Sequence, residues 1–345
     1  MSEFSQRPAE QRISGHASFL HRGTTWPQRA LIYLLDALVF LFGCVLWLGG
    51  RPLRRALVWS LSAGAYQLMR KKQRIAEINL DLAYNHQLSA SEKARIIRQM
   101  YTHFARGVLD LLFDWVYWPP RKIARFVTPQ GRERLTTLNN AAEGSALVCC
   151  HLGNPDLTLK LVRAVDFDLH VMYKGFKSAW FDRYIARKRL KVGSGLIEIP
   201  SSRHRIVNGK RVKVGKQSIH DEVRALFEQG HCVGFLADQH AKRGGLRMEV
   251  LGVADTPTQT GAWSYLIEQN VPFLLVVGVY TDDDEIRWHC SEILRPQDQG
   301  STQATLRHTM EQANAWFETL IRQYPEQYFW GHRRFDRQHY DKQAD

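Results

Sequence analysis

From about residue 144 the chain alternates short apolar, β-prone runs with stretches of helical length. This alternation restricts the region to an α/β sheet covered by helices. Strands are expected at 145–150, 168–173, 195–199, 231–237, 272–280 and 286–293, and helices at 155–164, 178–190, 217–229, 258–269 and 303–323. The expected class is α/β, with a central mixed sheet flanked by helices, an N-terminal membrane helix and a helical arm. A length of 345 residues leaves room for about two domains, or for one large α/β domain with an arm. The expected divisions are a polar tail over 1–28, an anchoring helix over 29–50, a helical arm over 51–125, the α/β domain over 126–337 and a polar tail over 338–345.

The second constraint is the run from Leu31 to Gly50, about 20 mostly apolar residues and so long enough to cross a bilayer core. Asp36 is costly within such a span but lies near its N-terminal end. No small-residue cleavage site follows clearly, which weighs against a removed signal peptide. Arg51, Arg54, Arg55, Arg70, Lys71, Lys72 and Arg74 follow the run, against Arg22 and Arg29 close before it. The positive-inside tendency places the C-terminal side in the cytoplasm. A buried or interfacial helix is the alternative. Residues 52–69 are apolar and basic by turns, apt for lying on an anionic surface. Ser89 and Glu92 have capping-box spacing for a helix that starts there. Trp115, Tyr117 and Trp118 suit either an interfacial belt or a core.

Net charge is +13, from 47 Lys+Arg against 34 Asp+Glu, which favours an anionic partner. No nucleic-acid-binding module signature accompanies it, so nucleic acid is not the expected partner. The five cysteines are odd in number, unevenly spaced and without C-x-x-C, which argues against a disulfide framework or a zinc site and for a reduced compartment.

The stretch with most chemistry is S-A-L-V-C-C-H-L-G-N-P-D, residues 145–156. An apolar strand ends at His151, Asn154 suits an N-cap, Pro155 suits the first helical position, and Asp156 falls in the first turn. A His and a carboxylate at a strand-loop-helix corner suit general-base chemistry. The carboxylate fixes the tautomer through one ring nitrogen, and the other nitrogen takes the proton. The positive end of the helix dipole is expected to favour the neutral imidazole. Taken alone, the spacing also fits a hydrogen-bonded loop histidine. Cys149 and Cys150 abut His151, but cysteines inside an apolar strand are usually inert.

Asn208-Gly209 between β-prone runs signals a tight hairpin, whose arms carry Arg203, Arg205, Lys210, Arg211, Lys213 and Lys216. They suit phosphate or an acidic protein, or simply a solvated face. Gly209 to Lys216 is not a P-loop: five residues separate its glycines where four are needed, and Gln217 stands in place of Ser or Thr. There is no G-x-G-x-x-G after a strand and no G-x-S-x-G elbow. Asp238-Gln239-His240 lacks a second cluster at ligand spacing, so no metal is expected there.

H-L-G-N-P-D at 151–156 resembles the H-x4-D/E signature of glycerolipid-type acyltransferases, and more specifically that of the bacterial lipid A biosynthesis acyltransferases. The resemblance extends to G-R-E-R-L at 131–135, Met172-Tyr173-Lys174, Leu236-Ala237-Asp238-Gln239, Gly252 with Thr256 to Gly261, the ending P-E-Q-Y-F-W-G-H-R-R-F at 325–335, and N-L-D-L-A-Y at 79–84. It covers roughly residues 30–336. It implies transfer of an acyl chain from a thioester donor, acyl carrier protein, to a hydroxyl of a lipid acceptor, at the cytoplasmic face of a bacterial inner membrane and without a cofactor or metal. His151 would be the base and Asp156 its orienting carboxylate. Lys174, Arg187, Asp238, Gln239, Gly252, Thr258 and Asp110 would contact substrate, with Lys174 also a donor to the oxyanion. Five departures stand out: Lys174 where the family has Arg, His240 where it often has an acidic residue, Asp110 near its Glu, Met248 to Leu251 in place of a more apolar strand, and the basic hairpin over 203–214 as an addition. Lysophospholipid, ornithine lipid, glycolipid and aryl polyene acceptors stay open, as do a lipid hydrolase and a non-catalytic lipid-binding protein.

Overall fold

The run Ser145–Cys149 is buried at all five positions, as a strand covered on both faces requires. The structure, a computed structural model, describes residues 26–341 except 141–142, 164–166, 177, 193–194, 200–203, 208–209, 214–215 and 243. The elements in chain order begin with α1 (Trp26–Leu68), α2 (Arg70–Ala83), α3 (Ala90–Leu112), the short turns α4 (Asp114–Tyr117) and α5 (Pro120–Ile123), and α6 (Pro129–Asn139). There follow β1 (Ser145–Cys149), α7 (Pro155–Arg163), β2 (Leu169–Lys174), α8 (Ala179–Val192), β3 (Gly195–Ile199), β4 (His204–Val207), β5 (Lys210–Lys213) and α9 (Lys216–Glu228). The chain continues through β6 (Cys232–Leu236), β7 (Leu246–Val250), β8 (Val253–Thr258), α10 (Gly261–Glu268), β9 (Phe273–Tyr280), β10 (Ile286–Cys290), α11 (Thr302–Gln323) and α12 (Gln338–Asp341).

Six strands form one sheet in the order β10-β9-β1-β6-β2-β3. β2 runs parallel to β3 and β6, and β9 antiparallel to β10, so the sheet is mixed, as expected. Two hairpins stand apart, β4-β5 and β7-β8. The first is the expected basic hairpin, with Val207 opposite Lys210; Asn208, Gly209 and Arg203 lie outside the described residues. The second does not figure among the expected strands. Its first arm alternates Leu246, Met248 and Val250 inward with Arg247 and Glu249 outward, a period of two. Leu251 (φ 55) and Gly252 (φ 77) form its turn. Because Thr258 closes β8, α10 starts at Gly261 and not at 258.

The chain divides into two compact units. The first holds residues up to Gly50, Leu111–Leu147 and Asp156–Phe235. Here the apolar half of α1 leaves Tyr33 69 %, Trp47 65 % and Leu48 77 % exposed. Asp36, the flaw in that run, accepts from Arg187 Nη2 at 2.6 Å and from Trp180 Nε1 at 3.2 Å. Phe40 stacks on Trp115 with centroids 5.5 Å apart, and a Cβ on Gly43 would lie 2.5 Å from the Trp115 ring. Trp118, by contrast, is in the core. Asp114 is held by Lys160 and Lys188.

The second unit holds Arg51–Asp110, Val148–Pro155 and Leu236–Asp345. Within α1 the helix breaks at Gly50 (φ 57, ψ −151), a conformation that favours glycine, with Pro52 just after. The expected capping box starts α3: Ser89 N–H donates to Glu92 Oε2 at 2.8 Å, and Glu92 N–H to Ser89 Oγ at 3.3 Å. β9 is buried at all eight positions. Asn79 Nδ2 donates to the carbonyls of Trp330 (2.6 Å) and His332 (2.7 Å), which ties α2 to the closing segment. Among the described residues one helix, α1, is long and apolar enough to cross a membrane.

Candidate active site

His151 follows the C-terminal end of β1, and Asp238 lies two residues past the end of β6. Because these strands are neighbours, their exits meet. Asp238 accepts twice from His151: from the backbone N–H at Oδ2 (3.0 Å) and from the ring at Oδ1, 2.8 Å from Nδ1. The carboxylate fixes the proton on Nδ1 and leaves Nε2 as the basic nitrogen. The Asp238 side chain is 8 % exposed and that of His151 32 %. Burial disfavours the imidazolium, but Asp238 outweighs it and raises the His151 pKa. This reverses the expectation of a ring kept neutral by the helix dipole, because a carboxylate in direct contact dominates a terminal partial charge. Burial alone would raise the Asp238 carboxyl; the charge and hydrogen bonds of His151, with His332, bring it well below the usual range.

The loop that carries His151 is clamped by the closing segment. Phe329 N–H donates to the His151 carbonyl (3.0 Å), Leu152 bridges Tyr328, and Gly153 N–H donates to the Gln327 carbonyl (3.0 Å). Gly153 has φ +66, and a Cβ there would lie 2.1 Å from the Gly278 carbonyl oxygen. Gln327 in turn satisfies both backbone groups of Tyr280, each at 2.8 Å. Asn154 Nδ2 donates to the Tyr280 hydroxyl (2.8 Å), which donates to Asp110 Oδ2 (2.7 Å).

His332 brings a second imidazole, with its centroid 5.8 Å from that of His151. Its Nδ1 lies 2.9 Å from the Phe329 carbonyl oxygen, so the proton sits on Nδ1. Burial lowers its pKa. Its Nε2 is a buried acceptor with no hydrogen-bond partner among the described residues.

Several expected residues stand elsewhere. The Asp156 carboxylate accepts from Arg189 Nε (2.7 Å) and Nη2 (3.2 Å), while the orienting position at His151 Nδ1 belongs to Asp238. Asp238 therefore holds the histidine, where the resemblance had it contact substrate. Asp110 is 1 % exposed and bound by Arg54 Nη2 at 2.6 Å as well as by Tyr280, so it is a core group and not an accessible wall. Thr258 is 0 % exposed, and its Oγ1 accepts from Arg334 Nη2 at 2.9 Å. Gly252 is the second turn residue of the β7-β8 hairpin, and Arg187 pairs with Asp36. Gln239 and Lys174 are exposed, Lys174 as the last residue of β2. Arg205, Lys210, Arg211 and Lys213 lie on β4 and β5; Arg203 lies outside the described residues. Burial drives the Cys149 thiol up to about 12 and Cys150 well above its ordinary value, which leaves neither a ready nucleophile. Sequence reasoning gave no role to His332, Gln327, Tyr280 or Arg189. The closing motif contained the first two, but spacing did not show that it wraps the His151 loop.

The family model for bacterial lipid A biosynthesis acyltransferase matches residues 22–337. The chain is also 23 % identical over 303 residues to the lipid A biosynthesis lauroyltransferase of Escherichia coli (strain K12), covering 84 % of this chain and 89 % of that protein. With the ordered motifs and the family match running almost from end to end, the chain belongs to the bacterial lipid A biosynthesis acyltransferase family.

Proposed function

We propose that the protein moves a fatty acyl chain from a thioester donor, acyl carrier protein, to a hydroxyl of a lipid A precursor at the cytoplasmic face of the inner membrane. The observation that carries the reading is His151, its Nδ1 tied to buried Asp238 and its Nε2 left as the base. In this mechanism Nε2 takes the acceptor hydroxyl proton as the oxygen attacks the thioester carbonyl. Asp238 stabilises the imidazolium that results, as the third member of a triad does. The tetrahedral intermediate collapses, the C–S bond breaks, and the imidazolium returns its proton to the leaving thiolate. Asp156, locked to Arg189, orders the start of α7.

Lys174 stays the cation that the resemblance assigns to the oxyanion. Gln239 stays a substrate contact. The charge of +13 suits an acidic carrier protein, and the arms of the β4-β5 hairpin, with Arg203, are the proposed contact. Membrane attachment rests on the exposed apolar half of α1.

The test is single-turnover transfer from radiolabelled acyl carrier protein to a lipid A precursor. Labelled lipid from wild type and none from His151→Ala is the expected result. Free fatty acid in place of acylated lipid would mean hydrolysis, and a stable acyl-cysteine adduct would mean a different nucleophile.

A further inference from the structure

The parallel pairing of β2 and β6 sets Leu169 opposite Cys232 and His170 opposite Val233. One step back along the same register places Asp168 beside His231. Side chains alternate along a strand, so Asp168 and His170 share a face, and His231, level with Asp168, shares it too. The geometry bears this out: one nitrogen or oxygen from each of the three lies within 4.8 Å of the others. The His170 and His231 rings are 4.9 Å apart, and His231 Nδ1 is 2.7 Å from Asp168 Oδ2.

We propose that Asp168, His170 and His231 bind one first-row divalent metal ion, Zn²⁺ by chemical preference, as a staple between the entries of β2 and β6. A hydrogen-bonded His–Asp pair would account for His231 and Asp168 alone. It does not account for a second imidazole, 4 % exposed, brought from the next strand onto the same face.

Two imidazoles and one carboxylate form a nitrogen-rich set. That set suits zinc, and cobalt as its spectroscopic substitute, over magnesium or calcium, which favour all-oxygen shells. On binding, the ion takes the place of the proton between His231 Nδ1 and Asp168, and that proton moves to Nε2. The three ligand atoms then draw in to about 2.0–2.2 Å from the metal. Asp168 is the most exposed of the three, with its side chain at 23 %, which leaves a solvent-side position for water.

The test uses the untagged full-length chain in detergent, stripped with EDTA and titrated with Co²⁺. One equivalent should produce visible d–d absorption that Zn²⁺ abolishes, and Zn²⁺ should raise the unfolding temperature by several degrees. Asp168→Asn keeps size and hydrogen bonding but removes the anionic ligand; His231→Gln removes an imidazole. Each should weaken binding at least tenfold, while Asp168→Asn keeps wild-type acyl transfer when no metal is added. Absence of a cobalt band in the wild type would overturn the site. So would an unchanged band in both variants, which would place the ion elsewhere and leave only a His–Asp hydrogen bond here.

Discussion

At the scale of the residue, His151 and Asp238 behave as one unit. Asp238→Asn preserves shape but removes the anion that raises the His151 pKa and stabilises its protonated form. A loss on the order of 10³–10⁴ in kcat is expected, by analogy with triads whose carboxylate is neutralised. In the wild type, kcat/KM should rise with pH through a value above 6.5, as His151 deprotonates to become the base. In Asp238→Asn that limb should move to lower pH. A pH–rate profile checks both, and an unmoved limb would assign the titration to another group. The same shifts act on stability. The raised histidine contributes below its unfolded pKa of about 6.5 and loses its contribution as pH rises through the folded value. The lowered aspartate contributes above about 3.9 and loses its contribution as pH falls. The pair therefore stabilises most between about 4 and 6.5. The place of the proposed base was legible in the sequence, since an apolar run ending in a histidine before an N-cap marks a strand-loop-helix corner. Its carboxylate was not, because Asp238 lies 87 residues on and meets it through strand adjacency, which no spacing rule encodes.

At the scale of the element, the loop from His151 to Asn154 depends on the segment 325–332 wrapped against it. Gly153→Ala would drive a Cβ to 2.1 Å from a carbonyl oxygen at a positive φ, so the loop must shift. Destabilisation of about 2–4 kcal/mol is expected, together with loss of transfer, read by thermal unfolding and single-turnover assay. Gln327→Ala strips partners from both backbone groups of Tyr280, each worth roughly 1–3 kcal/mol when left buried and unsatisfied. It should lower the unfolding temperature and kcat together. If activity fell with the unfolding temperature unchanged, the residue would be a substrate contact and not a clamp. Element types were largely readable, because β1, β2, β3, β6, β9 and β10 fall where apolar runs predict them. The β7-β8 hairpin was obscured by Arg247 and Glu249, which point outward from a strand that is polar on one face. The closing segment carries a recognisable motif, yet a motif does not reveal which loop it grips.

At the scale of the whole molecule, the question is what holds the protein at its lipid substrate. Leu31, Leu34, Leu38, Leu41 and Leu48 are each more than half exposed along the apolar half of α1. Burying a fully exposed large apolar side chain is worth about 1.5–3 kcal/mol, so these five, partly exposed, together favour a hydrocarbon environment by roughly 4–9 kcal/mol. Asp36 offsets little of this, since it is already paired with Arg187. Salt screens only the coulombic attraction between basic residues and anionic headgroups. The full-length protein should therefore stay with membranes through a 1 M salt wash and leave only with detergent. Asp36→Leu should hold it at least as firmly while releasing Arg187, so membrane retention and the integrity of α8 can be read apart. Replacing Leu34, Leu38 and Leu41 with Gln should convert the protein to a salt-extractable form. Release of the unaltered protein by salt alone would mean that α1 rests on the surface through its basic residues and does not insert.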